Sequence, residues 1–348
     1  MNDLACPLPP VEDRTVQLAH GGGGVMMHRL LERVIFPALG VGGAGVGPPH
    51  DGAVFTAGGA RLAFTTDSYV IRPRFFPGGD IGSLAVHGTL NDLAMCGARP
   101  LCLSVGLILE EGLPMEELRR AMESLKRASS EAGISIVTGD TKVVDRGNGD
   151  GLFVNTSGIG IIEHDLDIGP ASIREGDAIL LSGDIGRHGV AVLAAREGLA
   201  FETAIRSDSA PLHEPVLALL RAGIPVHCLR DLTRGGLAAG LKELARDSGF
   251  TVRIRESDIA VEPQVRGACE MLGLDPLHVA NEGRMVVVLP AEAADEAIAV
   301  LRRFPVSENA ARIGCALAGQ NGRVVLESIV GTCRVVELPL GEPLPRIC

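Results

Sequence analysis

Between positions 51 and 92, four aspartates fall where the chain changes character. Asp51 follows a Gly/Pro-rich turn, and Asp67 ends the strand-like run 61–67. Asp80 closes the turn Pro77-Gly78-Gly79-Asp80, and Asp92 follows Asn91 on a helix expected over 83–96. Converging carboxylates repel one another unless a cation lies between them, and an all-oxygen ligand set suits Mg²⁺. The plain alternative for a helical aspartate is a solvated face. Further on, Lys142 leaves a strand expected at 134–137 through the polar turn Thr138-Gly139-Asp140-Thr141. An ammonium there suits neutralisation of a phosphate or substrate; the competing reading is an ordinary surface lysine. At the chain end stands Cys348, preceded by Pro339, Pro343 and Pro345. Prolines fix φ and stiffen an arm of about 3 Å per residue, long enough to carry the thiol roughly 30 Å. A frayed terminus that happens to end in cysteine is the alternative.

These residues need elements to position them. The glycines Gly21, Gly22, Gly23 and Gly24 lie between a strand expected at 16–19 and a helix at 25–36. Backbone N–H groups at such a junction can approach an anion, or the run is a mobile loop. An apolar strand at 101–109 precedes a helix opened by Pro114 and stopped by Gly133, and another strand spans 152–162. A polar break at 163–176 separates two halves. The second half alternates again: a strand–turn–helix unit from Gly176, helices near 188–196, 211–222 and 291–303, and strands near 285–289, 312–315 and 324–327. The glycines at 183, 186 and 189 lack the GxG pair of a dinucleotide fingerprint, which excludes a Rossmann reading. The fold class is mixed α/β in two domains, 1–165 and 166–331, with a flexible tail at 332–348.

Composition narrows the function further. The 348 residues carry a net charge of −11, one Tyr and no Trp, which argues against nucleic acid as partner. No apolar run approaches the length of a membrane span, and the acidic, proline-bearing N-terminus is unlike a signal peptide. Eight cysteines without a CxxC pair read as reduced thiols of a cytoplasmic protein.

Taken together, Thr65 to Val70, Phe75 to Gly82, Gly88 to Leu93, Val137 to Val144, Arg230 to Gly236, Ala280-Asn281-Glu282-Gly283 and the terminal Pro345-Arg346-Ile347-Cys348 resemble the HypE family of hydrogenase maturation factors. These are carbamoyl dehydratases within a larger ATP-using group that includes aminoimidazole ribonucleotide synthetase. The resemblance covers nearly the whole chain. It implies a homodimer, ATP and Mg²⁺ as cofactors, and HypF and a HypC–HypD iron scaffold as partners. Cys348 would carry a carbamoyl group that is dehydrated to a thiocyanate, the source of hydrogenase cyanide ligands. Asp51, Asp67, Asp92 and Asp231 would hold Mg²⁺ and the nucleotide phosphates, with Asp140, Thr141, Gly22, Gly23 and Gly24 also at the nucleotide. Asp80 would belong to the catalytic centre, and Lys142 and Glu282 would face the thiocarbamate, Glu282 as base. The chain departs from the pattern at His20-Gly21-Gly22-Gly23-Gly24, where the family has HGSGG, at Lys242, and in the elaborated stretch 40–49.

Two other readings compete. Selenophosphate synthetase shares the scaffold but needs a reactive residue in an N-terminal glycine-containing loop; Pro7 follows Cys6 and no such loop surrounds it. A thiol metallochaperone would leave the aspartates unexplained.

Overall fold

The structure is a computed structural model that describes residues 14–40, 50–199, 204–319, 322–339, 341, 344 and 346–348. Cys6, Pro343, Pro345 and the stretch 41–49 lie outside the described residues.

The N-terminal segment holds a 3₁₀ turn at Leu18–Gly21 and helices α1 (Val25–Leu30) and α2 (Phe36–Leu39), joined by a wider π-type turn at Leu31–Ile35. The strand expected at 16–19 does not form. Val16 and Leu18 are 81% and 72% exposed, so they have no core to pair against. The Gln17 N–H instead donates to His20 Nδ1 at 3.0 Å, which winds the segment into a turn.

A five-stranded sheet follows, in the order β1-β2-β7-β5-β6. Its strands are β1 (Ala53–Ala57), β2 (Ala60–Tyr69), β5 (Arg99–Glu110), β6 (Ser135–Val144) and β7 (Leu152–Ile162), with the short hairpin β3 (Phe75–Phe76) and β4 (Gly79–Asp80) outside it. Neighbours are antiparallel except β5 and β6, which α4 (Met115–Glu131) joins as a crossover. One face of this sheet packs on α3 (Ile81–Met95) and α4. The other is open and carries Phe64, Ile108 and Ile159 at 41%, 46% and 38% exposure.

The second sheet has the order β14-β13-β10-β12-β8-β11-β9. It comprises β8 (Ala178–Leu181), β9 (Cys228–Asp231), β10 (Thr251–Arg255), β11 (Met285–Leu289), β12 (Ala311–Leu317), β13 (Val324–Glu327) and β14 (Cys333–Val336). Helices α5 (Arg187–Glu197), α6 (His213–Arg221), α7 (Gly236–Ser248), α8 (Pro263–Leu272) and α9 (Ala294–Leu301) surround it. β11 is buried at every position, which is why it reads as an unbroken Met-Val-Val-Val-Leu run. Cys333–Val336, assigned to the tail on sequence, pairs antiparallel with β13 from Val324 to Glu327 and so belongs to this sheet.

The centre of the molecule is α3. It is apolar on nearly all sides, and such a helix must be covered on all sides. It packs on β2 and β7 on one side and touches α6 and β9 of the second half on the other. Gly88 makes this possible, because a Cβ there would overlap the hydroxyl of buried Tyr69. Asn91, on the same helix, ties the halves together: its Nδ2 donates to the carbonyls of Ala210 and Glu282, both at 3.2 Å, and its Oδ1 accepts from the N–H of Leu212 at 2.8 Å.

Candidate active site

Three aspartates meet where the halves join. Asp92 comes from the last turn of α3, Asp51 from the turn before β1, and Asp231 from the last position of β9. One carboxylate oxygen of each lies within 4.8 Å of the other two. Thr65 Oγ1, from β2, donates to Asp92 Oδ2 at 2.7 Å. Arg230 forms an ion pair with Asp51 Oδ1, and its Nη2 also holds Glu243 at 2.7 Å. Asp51 Oδ2 is buried without a hydrogen-bond partner. Burial pushes the Asp92 carboxyl well up, helped by the neighbouring charges of Asp231 and Asp67. Burial raises Asp231 to about 6, with Arg230 opposing and Asp67 adding to the rise. Three hard oxygen donors, one of them orphaned, suit a divalent cation, whose charge would favour the ionised forms of Asp92 and Asp231.

Glu282 lies in the turn leading into β11 and is fully buried, with Oε1 lacking a partner. Its carboxyl is pushed well up by burial first, then by Asp231, Asp67 and Asp208. Those charges place it beside the aspartate cluster. Asp208 fixes its backbone, accepting from the N–H groups of Glu282 and Gly283 at 3.3 and 3.1 Å.

The chain terminus docks on the first half. The Val70 N–H, just past β2, donates to a main-chain carboxylate oxygen of Cys348 at 3.1 Å, and the Arg72 N–H donates to the Arg346 carbonyl at the same distance. Ile347 is 1% exposed, and Cys348 is half-buried against the core of the first half. The last residues therefore run along the chain beyond β2 as an added strand would.

Two family descriptions match the chain: AIR synthase related protein, N-terminal domain, over residues 49–162, and its C-terminal domain over 174–327. The carbamoyl dehydratase HypE of Azotobacter vinelandii is 49% identical over 334 residues, 96% of this chain and 97% of the relative. This chain belongs to the HypE carbamoyl dehydratase family. A solved HypE structure in complex with ATP is 46% identical and aligns with a TM-score of 0.81, covering 96% of this chain and 100% of that one. The structure of a HypE–HypF complex aligns at 0.82 with 40% identity, covering 91% of this chain and 100% of its counterpart.

The other HypE-family positions sort unevenly around this centre. Asp67, expected as a fourth metal carboxylate, stands apart from the three that converge. Its Oδ1 accepts from the Ser68 N–H at 2.7 Å, although its charge still reaches Asp92, Asp231 and Glu282. Asp80 caps α3: Oδ1 accepts from the N–H groups of Gly82 and Ser83 at 2.8 and 3.1 Å, which accounts for an aspartate at this turn without catalysis.

Lys142 does not leave a strand. β6 continues through Thr138, Asp140 and Thr141 to Val144, because this edge strand pairs with β5 along its whole length. Lys142 Nζ pairs with the exposed Asp140 at 2.6 Å, which draws the Asp140 carboxyl below its ordinary range. Both residues, with Val70, Phe153 and Asn155, line a cleft of about 400 Å³ on the open face of the sheet. Thr141 lies between them, opposite Leu107 of β5.

Gly22 and Gly24 are buried, and Gly23 has φ +73°. A Cβ at Gly23 would stand 3.0 Å from that of Arg234, so the glycine run closes against the chain that opens α7. Arg234 Nη1 donates to the Gly21 carbonyl at 3.0 Å, and its charge reaches Asp92, Asp231 and Glu282. Lys242 reaches Glu337 at 3.5 Å.

Sequence reasoning missed Thr65, Arg230, Asp208 and Glu243. Arg230 had a signal, since it precedes Asp231 in a block already singled out; Asp208 had none. No helix among the described residues is long and apolar enough to cross a membrane.

Proposed function

We propose that this chain uses ATP and Mg²⁺ to dehydrate an S-carbamoyl group on its own Cys348 to S-cyanocysteine, supplying cyanide for the iron of [NiFe]-hydrogenase. The observation that carries this reading is the docking of the terminal cysteine on the main chain of Val70, in a fold where Asp51, Asp92 and Asp231 converge. The ATP-bound relative supports the nucleotide, and the HypE–HypF complex supports HypF as carbamoyl donor. Delivery to a HypC–HypD scaffold in the cytoplasm follows from the same family reading.

The chemistry needs a leaving group. Attack of the thiocarbamate oxygen on the γ-phosphorus forms a C–O–P linkage and releases ADP. Loss of both N–H protons and cleavage of the C–O bond then give –S–C≡N and inorganic phosphate, so the carbonyl oxygen leaves on phosphorus. No external oxidant is needed. Asp51, Asp92 and Asp231 would hold the cation, which supplies charge neutralisation for phosphoryl transfer. Gly22 to Gly24 would offer main-chain donors to the phosphates. Glu282 serves as base: its raised pKa makes it a strong acceptor once ionised, and cation binding at the neighbouring aspartates favours that ionised form. Lys142 shares a cleft with Val70, the residue that holds Cys348, so it can face the thiocarbamate across the open sheet. The exposed apolar residues of that face support a homodimer closed over it.

Mass spectrometry of the C-terminal peptide, after incubating carbamoylated protein with ATP and Mg²⁺, should find the loss of one water. An unchanged carbamoyl mass overturns the proposal.

A further inference from the structure

The last peptide of the chain is held by a side chain that the reaction above does not use. His188 sits in the first turn of α5, fully buried, with its ring edge-on to Phe76 at 5.4 Å. Its Nε2 lies 2.6 Å from the Ile347 carbonyl, which can only accept, so the proton is on Nε2. Nδ1 must then accept, and Ser207 Oγ donates to it at 2.8 Å. Ser207 is oriented in turn by the Ser209 N–H, which donates to the same oxygen at 3.0 Å. One tautomer is thereby fixed by a partner on each nitrogen. A second donor comes from the same helix: Arg196 Nη2 reaches the Arg346 carbonyl at 2.7 Å while its Nε holds the Arg72 carbonyl at 2.9 Å.

This clamp is joined to the base. Asp208 accepts from the His188 N–H with Oδ1 at 3.0 Å and from the Glu282 N–H with Oδ2. Asn281 Oδ1 accepts from the Gly186 N–H at 2.7 Å, and the Gly189 N–H donates to the Ala280 carbonyl at 3.0 Å. The first turn of α5 and the segment 280–283 are thus tied together.

We propose that His188, with Arg196, is the positioning residue that seats the terminal peptide, fixing the sulfur of Cys348 against the frame that carries Glu282. Neither side chain touches the reacting atoms; both act through the main chain of Arg346 and Ile347. The partner carbamoyl donor must therefore capture the tail from its unseated form, and the clamp sets how often that form is available.

The test uses the full-length protein and N-ethylmaleimide, read at Cys348 by mass spectrometry of the C-terminal peptide. His188→Ala should raise the alkylation rate about tenfold, the value of one strong hydrogen bond, and Arg196→Ala, at a partly exposed site that leaves folding intact, should do likewise. His188→Gln, whose amide can still donate to the Ile347 carbonyl, should stay within about threefold of wild type. Amide exchange at Val70 and Arg72 should quicken in step with alkylation. Unchanged alkylation and exchange in Arg196→Ala and in folded His188→Ala overturn the clamp. Its catalytic consequence rests on the dehydration reading, and a single-turnover assay separates the two: wild type that shields Cys348 yet makes no nitrile sinks the reaction, and the clamp stands.

Discussion

Glu282 and His188 hang from opposite oxygens of one buried carboxylate, that of Asp208. Replacing it with Asn keeps the volume but sets an amide NH₂ against backbone N–H groups. Asp208→Asn should therefore cost about 2 kcal/mol of stability, measured by urea unfolding. It should also slow nitrile formation more than it slows ATP binding. Equal effects on both would assign Asp208 a purely structural role.

The aspartate cluster predicts a pH dependence with a definite sign. Asp231 has an ordinary value of 3.8 that is raised to about 6 in the fold. A carboxyl raised by folding favours the native state at low pH, and that advantage is lost as pH climbs from about 4 to about 6. Without metal, thermal stability should fall across that window, and Mg²⁺ should restore it above the window. Asp231→Asn should flatten both responses. Mg²⁺ protection that survives this substitution would move the cation elsewhere.

Asn91 makes three hydrogen bonds across the junction between the halves. Asn91→Ala strips the Ala210 carbonyl and the Leu212 N–H of these partners and leaves the Glu282 carbonyl with the Ala210 N–H alone, which should destabilise by about 2 kcal/mol. Because one of those carbonyls belongs to Glu282, dehydration should drop further than the loss of folded protein explains. Activity per folded molecule, from parallel circular dichroism and rate measurements, checks this.

Gly88 and Tyr69 form a size-complementary pair. Gly88→Ala drives a methyl group into the phenol oxygen and should cost about 2 kcal/mol. Tyr69→Phe removes that oxygen, so the double variant should recover most of the loss. A strictly additive double-mutant cycle would contradict the assigned overlap.

Much of the architecture was readable because its causes are local. The period-two burial of β7 and the apolar run of β11 follow from residues within a few positions of one another, and both strands stand where the pattern put them. Pro114 and Gly133 bracket α4 for equally local reasons, a missing N–H and a left-handed φ. The segment 16–19 misled because apolar content alone carries no information about a partner to pair with. β6 misled in the other direction: Thr138-Gly139-Asp140-Thr141-Lys142 has the polarity of a turn, and only the neighbouring β5 makes it a strand. β10, α8 and β14 were missed because their short, mixed patterns become decisive only beside the sheet that receives them.

For the site, the residue types determined the chemistry: carboxylates for a cation, a terminal thiol for a carrier, a glycine run beside a helix. Which of them meet was a tertiary matter. Asp51, Asp92 and Asp231 are separated by 41 and 139 positions, and their convergence depends on how α3 docks between two sheets. The same docking left Asp67 to one side and gave Asp80 a cap to make. Contacts between residues far apart in the chain are set by packing geometry, and one-dimensional spacing does not encode that. The seat for Cys348 is the clearest instance, since the ring that fixes it lies 159 residues upstream of the carbonyl it holds.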